Sequence, residues 1–168
     1  IHLAFKRPLL ESFLVASVIG STDAASVFNI LRSKSLNLKD NTASLLEIES
    51  GSNDPVSYML TVILTSILTG HSVHVPSMLF FQVAFGIGCG VCIGKLTALL
   101  LNKAEFDIAQ GKTILVFAAA ILAYTIPDLI GGNGYLSVYL CGIILGNSYL
   151  PHKRDMVRFF DVLTGVAQ

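Results

Sequence analysis

The sequence predicts an all-α, polytopic membrane helix bundle, and three observations carry that expectation. Of 168 residues, 53% are hydrophobic and only 13% charged, with a mean hydropathy of +0.70, a profile unlike that of ordinary soluble domains. Apolar segments recur at lengths near the roughly 20 helical residues that cross a hydrocarbon core about 30 Å thick. Lysine and arginine gather in alternate connections, as expected of a chain that crosses repeatedly. The zero net charge and pI of 7.1 exclude nucleic acid as a partner, since that would call for a clustered basic face. No signal-peptide pattern precedes the first apolar segment. The chain opens on Ile1 without an initiator methionine and stops on Gly-Val-Ala-Gln, so a fragment lacking N- and C-terminal parts is expected.

Five spans are expected, at residues 9–31, 42–70, 76–101, 112–130 and 134–150. The loops between them read RSKSLNLKD, GHSVHVP, NKAEFDIAQGK and PDLIGGNG, and LPHKRD follows the fifth. The final stretch, RDMVRFFDVLTGVAQ, opens a further helix. Alternating crossings place Arg32, Lys34, Lys39, Lys103, Lys112, Lys153, Arg154 and Arg158 on one side, whereas GHSVHVP and PDLIGGNG hold no lysine or arginine. The basic side is therefore cytoplasmic. Lys6 and Arg7 are exceptions, and Lys95 lies close enough to its span's end to snorkel.

The third span carries Gly86, Gly90 and Gly94 at four-residue spacing, one small face against which a second helix can pack closely. Cys89 and Cys92 sit mid-span among glycines, which suits small-residue packing better than redox chemistry, and Cys141 is a small core residue. Gly94-Lys95 and Gly111-Lys112-Thr113 lack the remaining positions of a phosphate loop. His71 and His74 form H-x-x-H without a nearby third ligand, so no metal site is expected there. His2 and His152 are read as surface residues.

Polar residues in the first two spans lie near mid-length. Asp23 follows Gly20-Ser21-Thr22 with about a dozen mostly apolar residues on its N-terminal side. An aspartate at the bilayer centre costs about 2.5 to 3.5 kcal/mol on insertion scales and needs a partner or water. Glycine, two hydroxyl residues and aspartate also compete with the helix for its backbone groups, so local unwinding is expected at Ser21 to Asp23. In the second span, Glu49, Ser50, Asn53 and Asp54 fall within an arc of about 140° at about 100° per residue, and Ser57 and Thr61 extend the stripe. Pro55 brings no N–H to the carbonyl of Gly51, and glycine at 51 eases the distortion. Carboxylate, hydroxyl and carbonyl oxygens on one face suit a hard monovalent cation. A polar stripe also serves simply to glue helices together. Asp23 and Asp54 at matching depth, each beside a helix-weakening sequence, favour an ion site of the kind broken helices form in secondary transporters. Glu47, at the edge of the arc, is read as an entrance or interface residue.

GSTDAASVF followed by ASLLEIESGSNDPVSYMLT resembles the two signature segments of monovalent cation/proton antiporters of the sodium/hydrogen exchanger superfamily, in particular bacterial potassium/proton antiporters of the cell-volume-regulation type. GYLSVYLCGIILGN resembles a later helix of that family. The resemblance implies a fragment of an inverted-repeat antiporter fold with two broken helices. Residues 1–70 would be part of the ion-binding core, and 71–168 the linker helix and part of the dimerisation or scaffold helices. It further implies that Asp54 binds cation and proton alternately, with Ser50 and the Thr22 carbonyl as ligands and Asp23 completing the site through water. Asn53 would hold the unwound region, Gly51 and Pro55 would support it, and Glu49 would pair with an arginine outside this chain.

That resemblance implies a multi-pass protein of the bacterial inner membrane, not an enzyme, without a cofactor. It would carry K+ or Na+ against H+, sit in membrane lipid, and form a homodimer when full length. Burial disfavours a charged carboxylate and a bound cation favours it, so one carboxyl group holds a proton or a cation but not both. With Asn53 unable to titrate, exchange is expected to be electroneutral. A channel-like protein using the same ligands, or a non-transporting scaffold, are the rival readings.

Overall fold

The computed structural model describes residues 8–22, 42–70, 74–103, 109–150 and 153–167, and every regular element among them is an α-helix. In chain order these are α1 (Leu9–Ile19), α2 (Thr42–Leu68), α3 (Val75–Lys103), α4 (Ala109–Leu129), α5 (Gly134–Asn147) and α6 (Lys153–Ala167). Asp23 lies outside the described residues, as do His2, Lys6, Arg7, Arg32, Lys34, Lys39, His71 and His152. The chain divides into two compact units, Ile1–Val83 and Ala84–Gln168, with the division falling inside α3.

In the first unit α1 packs along α2. Pro8 precedes the helix with φ −51°, an angle its ring imposes and a helix start accepts. Both the amide and the hydroxyl of Ser12 donate to the Pro8 carbonyl, each at 3.1 Å. The helix stops after 11 residues, and the amide of Gly20 makes the last helical bond, to Ala16 O at 2.9 Å. Ser21 and Thr22 are non-helical, as their side chains predict. An 11-residue helix is about 16 Å long, roughly half the thickness of a hydrocarbon core. Alone it is too short to cross a bilayer.

α2 differs from expectation. It is a continuous helix of 27 residues with Pro55 inside it, not a broken one. A proline removes one backbone bond and adds one steric contact, while the turns on either side keep theirs. Hydroxyls along α2 bond back to their own helix, Ser52 to Ile48 O (2.6 Å), Thr61 to Ser57 O (2.7 Å) and Ser66 to Val62 O (2.8 Å). These polar groups are thereby satisfied without water.

In the second unit α5 runs alongside the later part of α3. A Cβ added at Gly86 would lie 3.0 Å from the Asn133 carbonyl oxygen, one at Gly90 2.6 Å from that of Ser137, and one at Gly94 3.2 Å from Cys141 Cα. The expected glycine face is thus a backbone-to-backbone seam, with four-residue steps on both helices. α4 ends in a Schellman-type turn: the Gly132 amide donates to Pro127 O (2.7 Å), the Gly131 amide to Asp128 O (3.2 Å), and Gly131 holds φ +79°. That left-handed position favours glycine. Asn133 then caps α5, its side chain accepting from the Leu136 amide at 3.0 Å. α6 packs on α4 and completes a core of Leu101, Ala123, Cys141, Leu145, Leu150 and Met156.

Beside this apolar core, several polar residues are buried and many large apolar ones are exposed. Ser12, Ser17, Gln82, Thr97, Asn133 and Ser137 are buried, while Phe13, Ile19, Phe80, Leu96, Ile114 and Leu129 are exposed. Apolar surface on this scale marks contact with lipid or protein. α3 and the Gly111–Leu129 part of α4 are long and apolar enough to cross a bilayer. All three cysteines are free, Cys92 exposed and Cys141 buried.

The seam yields a paired prediction. Gly90→Ala in the full-length protein should lower its thermal unfolding temperature in detergent, because the new methyl group meets the Ser137 carbonyl, and overpacking costs about 1 to 3 kcal/mol. Gly88→Ala, whose Cβ meets nothing within 4 Å, should leave that temperature unchanged or raise it through helix propensity.

Candidate cation-binding site

The unwound end of α1 lands on the polar stripe of α2. Ser21 Oγ donates to Asp54 Oδ1. Ser50 Oγ donates to the Thr22 carbonyl oxygen at 2.7 Å. Asn53 Nδ2 donates to Thr22 Oγ1 and reaches Glu49 Oε1 at 3.4 Å, while Thr22 Oγ1 stands 3.5 Å from Glu49 Oε2. One turn away, Ser17 Oγ and Thr61 Oγ1 share a hydrogen bond of 3.0 Å. The pairs 17 with 61, 21 with 54 and 22 with 50 run in opposite senses along the chain, so α1 and α2 are antiparallel. Ser21 and Thr22 beyond the end of α1 and residues 49–54 of α2 make this junction.

The cause is local. Gly20 ends α1, and beyond it the backbone of Ser21 and Thr22 no longer spends its polar groups on a helix. Carbonyl and hydroxyl oxygens then point sideways toward α2, whose helical period brings Glu49, Ser50, Asn53 and Asp54 to the same face. Asp54, Asn53 and Ser50 are half-buried and Glu49 is exposed. Asn53 Oδ1 is buried without a hydrogen-bond partner, which leaves one oxygen acceptor of the cluster unused. Beside it an open cleft of about 820 Å³ runs between the helices, with Glu49, Asn53 and Ser57 on its polar wall and Phe13, Val56 and Leu60 on its apolar one.

Of the residues expected at the site, the structure brings Thr22, Glu49, Ser50, Asn53 and Asp54 together. Gly51 and Pro55 lie within the same turns of α2, Pro55 buried. Asp23 falls outside the described residues. Thr22 faces Ser50 with its backbone carbonyl, the group the resemblance implies. Sequence reasoning missed Ser21 as a partner of Asp54, since a hydroxyl in an unwound segment follows no period that would tell where it points. Ser57 and Thr61 extend the stripe as expected, but Thr61 meets Ser17 rather than the unwound segment. Among the described residues no group of three or more His, Cys, Asp or Glu is placed to hold a metal ion. The oxygens here are hydroxyl, carbonyl and amide groups beside the two carboxylates of Glu49 and Asp54.

An antiparallel helix pair with an oxygen-rich junction stands in a chain that also has, among the described residues, two helices long and apolar enough to cross a membrane, a combination that belongs to the membrane-protein class. The profile described as "Sodium/hydrogen exchanger, transmembrane" matches residues 1–166, and the chain belongs to that family. It is 37% identical over 163 residues to the K(+)/H(+) antiporter NhaP2 of Shewanella baltica, covering 95% of this chain and 28% of that protein. It is 36% identical over 162 residues to the K(+)/H(+) antiporter NhaP of Alkalimonas amylolytica, with the same two coverages. Against the low-affinity Na(+)/H(+) antiporter NhaS1 of Synechocystis it is 32% identical over 161 residues, covering 90% of this chain and 30% of that protein. The chain thus spans less than a third of the length of these relatives. No solved structure gives a significant match.

Ser21→Ala in the full-length protein should raise the cation concentration needed for half-maximal binding by about tenfold, as expected for a lost hydrogen bond to a charged group. Ser66→Ala, which removes only a bond to Val62 O within α2, should leave it unchanged. Isothermal titration with potassium and sodium chloride reads both.

Proposed function

We propose that the complete protein exchanges a monovalent cation, K+ or Na+, for protons across the bacterial inner membrane, and that this segment supplies the half-site where the two compete. One observation carries the reading: the oxygens of Ser21, Thr22, Ser50 and Asp54 meet where α1 ends. Family membership and the antiporter names of the relatives support it.

The chemistry follows from the donor set. With Asp54 ionised, its carboxylate, the Ser50 hydroxyl and the Thr22 carbonyl replace part of a cation's hydration shell. The hydroxyl and carbonyl each keep lone pairs beyond their mutual bond. Protonating Asp54 removes the negative charge that offsets the ion's desolvation, so the cation leaves. Ser21 serves both states, since its hydroxyl donates to a charged carboxylate and accepts from a protonated one. Asn53 ties Thr22 to α2 and carries no titratable proton in this range. One charge is therefore traded for one, and exchange is electroneutral. Asp23, outside the described residues, is assigned to the site only through the family resemblance, acting through water, and Glu49 takes an arginine from outside this segment. The complete protein works in membrane lipid as a homodimer whose scaffold includes the helices after residue 71.

Reconstituted full-length protein in vesicles carrying a pH gradient should dequench a pH dye on addition of potassium, sodium or lithium in an order that reports its selectivity. Asp54→Asn should abolish the response while the protein stays folded, and retained exchange in that variant would remove Asp54 from the mechanism. On a supported membrane the same preparation should give no current that scales with turnover. A response that appears only under an imposed voltage would indicate a channel.

A further inference from the structure

Where α6 lies on α4 near the end of α5, two cavities of the second unit share a wall. One is an open groove of about 560 Å³ whose sides include Lys153, Arg154 and Arg158, with Asp161 as its carboxylate. The other, about 370 Å³, is lined chiefly by apolar side chains such as Val116, Val138, Leu145, Met156 and Phe160. Leu150, Lys153, Val157 and Asp161 border both, so the charged groove and the apolar pocket adjoin.

One of the charges is held in place. Lys153 Nζ donates to the Gly146 carbonyl in the last turn of α5, which fixes the ammonium group at the junction of the two cavities. Arg154 and Arg158 are exposed one helical turn apart and project on the same side of α6. Along the helix's other flank Phe159, Val162, Leu163 and Val166 are exposed, which makes α6 an amphipathic helix of interfacial type. The charge bias of the loops puts it on the cytoplasmic surface, where anionic headgroups attract basic segments. The groove lining holds three cations and Asp161, and with Asp155 also counted the helix still carries one net positive charge.

We propose that this groove and pocket together bind one anionic phospholipid, with its phosphate against Lys153, Arg154 and Arg158 and part of an acyl chain between α4, α5 and α6. A free phosphate would leave the apolar pocket unused, and a zwitterionic lipid would leave the groove's charge uncompensated. The pocket volume lies in the roughly 300 to 1,000 Å³ range of small-molecule sites. This proposal is independent of the exchange reaction, since none of its residues belongs to the α1–α2 junction.

Native mass spectrometry of the full-length protein, titrated with phosphatidylglycerol and phosphatidylcholine of identical chains, tests it. Phosphatidylglycerol should be retained about tenfold more strongly, the order expected for a few cations beside an anionic headgroup. The double variant Arg154→Gln/Arg158→Gln should lose that preference. Gly142→Leu, whose Cβ enters open space in the pocket wall, should lower retention of both lipids. Glycerol phosphate, which has the charge but no chain, should not displace the lipid. Equal retention of the two lipids by the unmodified protein, an unchanged preference in the arginine variant, or no retained lipid because another part of the polypeptide fills the pocket would each overturn the proposal. Should Gly142→Leu fail to fold, the arginine variant, which alters only exposed side chains, decides alone.

Discussion

A helix that ends inside an apolar medium must find partners for its last carbonyls and for the polar side chains that ended it, because lipid offers none. α1 does so by laying Ser21 and Thr22 on α2. Every polar contact at the junction is a consequence: the Thr22 carbonyl takes the Ser50 hydroxyl, the Thr22 hydroxyl takes the Asn53 amide, and Ser21 takes Asp54. The same oxygens that solve the folding problem are the ones proposed as ligands for a small cation. Folding and the proposed ion site thus share one set of contacts, in which Ser21 meets the carboxylate of Asp54.

The two units answer the bilayer in different ways. In the first, hydroxyls turn inward along an otherwise apolar helix pair, with Ser17 bonded to Thr61 and Ser12 to its own N-terminus. In the second, backbones approach closely through Gly86, Gly90 and Gly94, and the turn at Gly131 and Gly132 reverses the chain tightly enough for Asn133 to cap α5. Without a hydrophobic force to drive helices together in lipid, hydrogen bonding and close packing are the available means of association. The first leaves polar oxygens along a helix pair, and the second brings helix backbones into close contact.

Much of this could be read from residues. Apolar runs with few charges, bounded by GHSVHVP, NKAEFDIAQGK and PDLIGGNG, locate α3, α4 and α5 within a few positions, because lipid imposes a length on each. The stripe from Glu49 to Asp54 is legible because a helix fixes which of its side chains share a face. The partner of the glycine face is not, since four-residue spacing says that a helix approaches but not which one. Pro55 misled in the opposite sense: its missing N–H suggested a break, yet the neighbouring turns of α2 are sufficient to carry the helix through it. The Ser21 contact needed coordinates, because outside regular structure no period relates sequence to direction. α6 was visible only as an opening, since its charges at 153, 154, 155, 158 and 161 obscure the apolar face that packs on α4.

The central claim is that a proton and a cation exclude each other at Asp54. Calorimetry of the full-length protein in two buffers of different ionisation enthalpy measures it most directly, through the number of protons released when potassium or sodium binds. The account predicts a release that approaches one proton per bound cation as the pH is lowered and the carboxyl group fills, with none in Asp54→Asn. Cation binding of the same affinity at every pH, with no proton released, would contradict it.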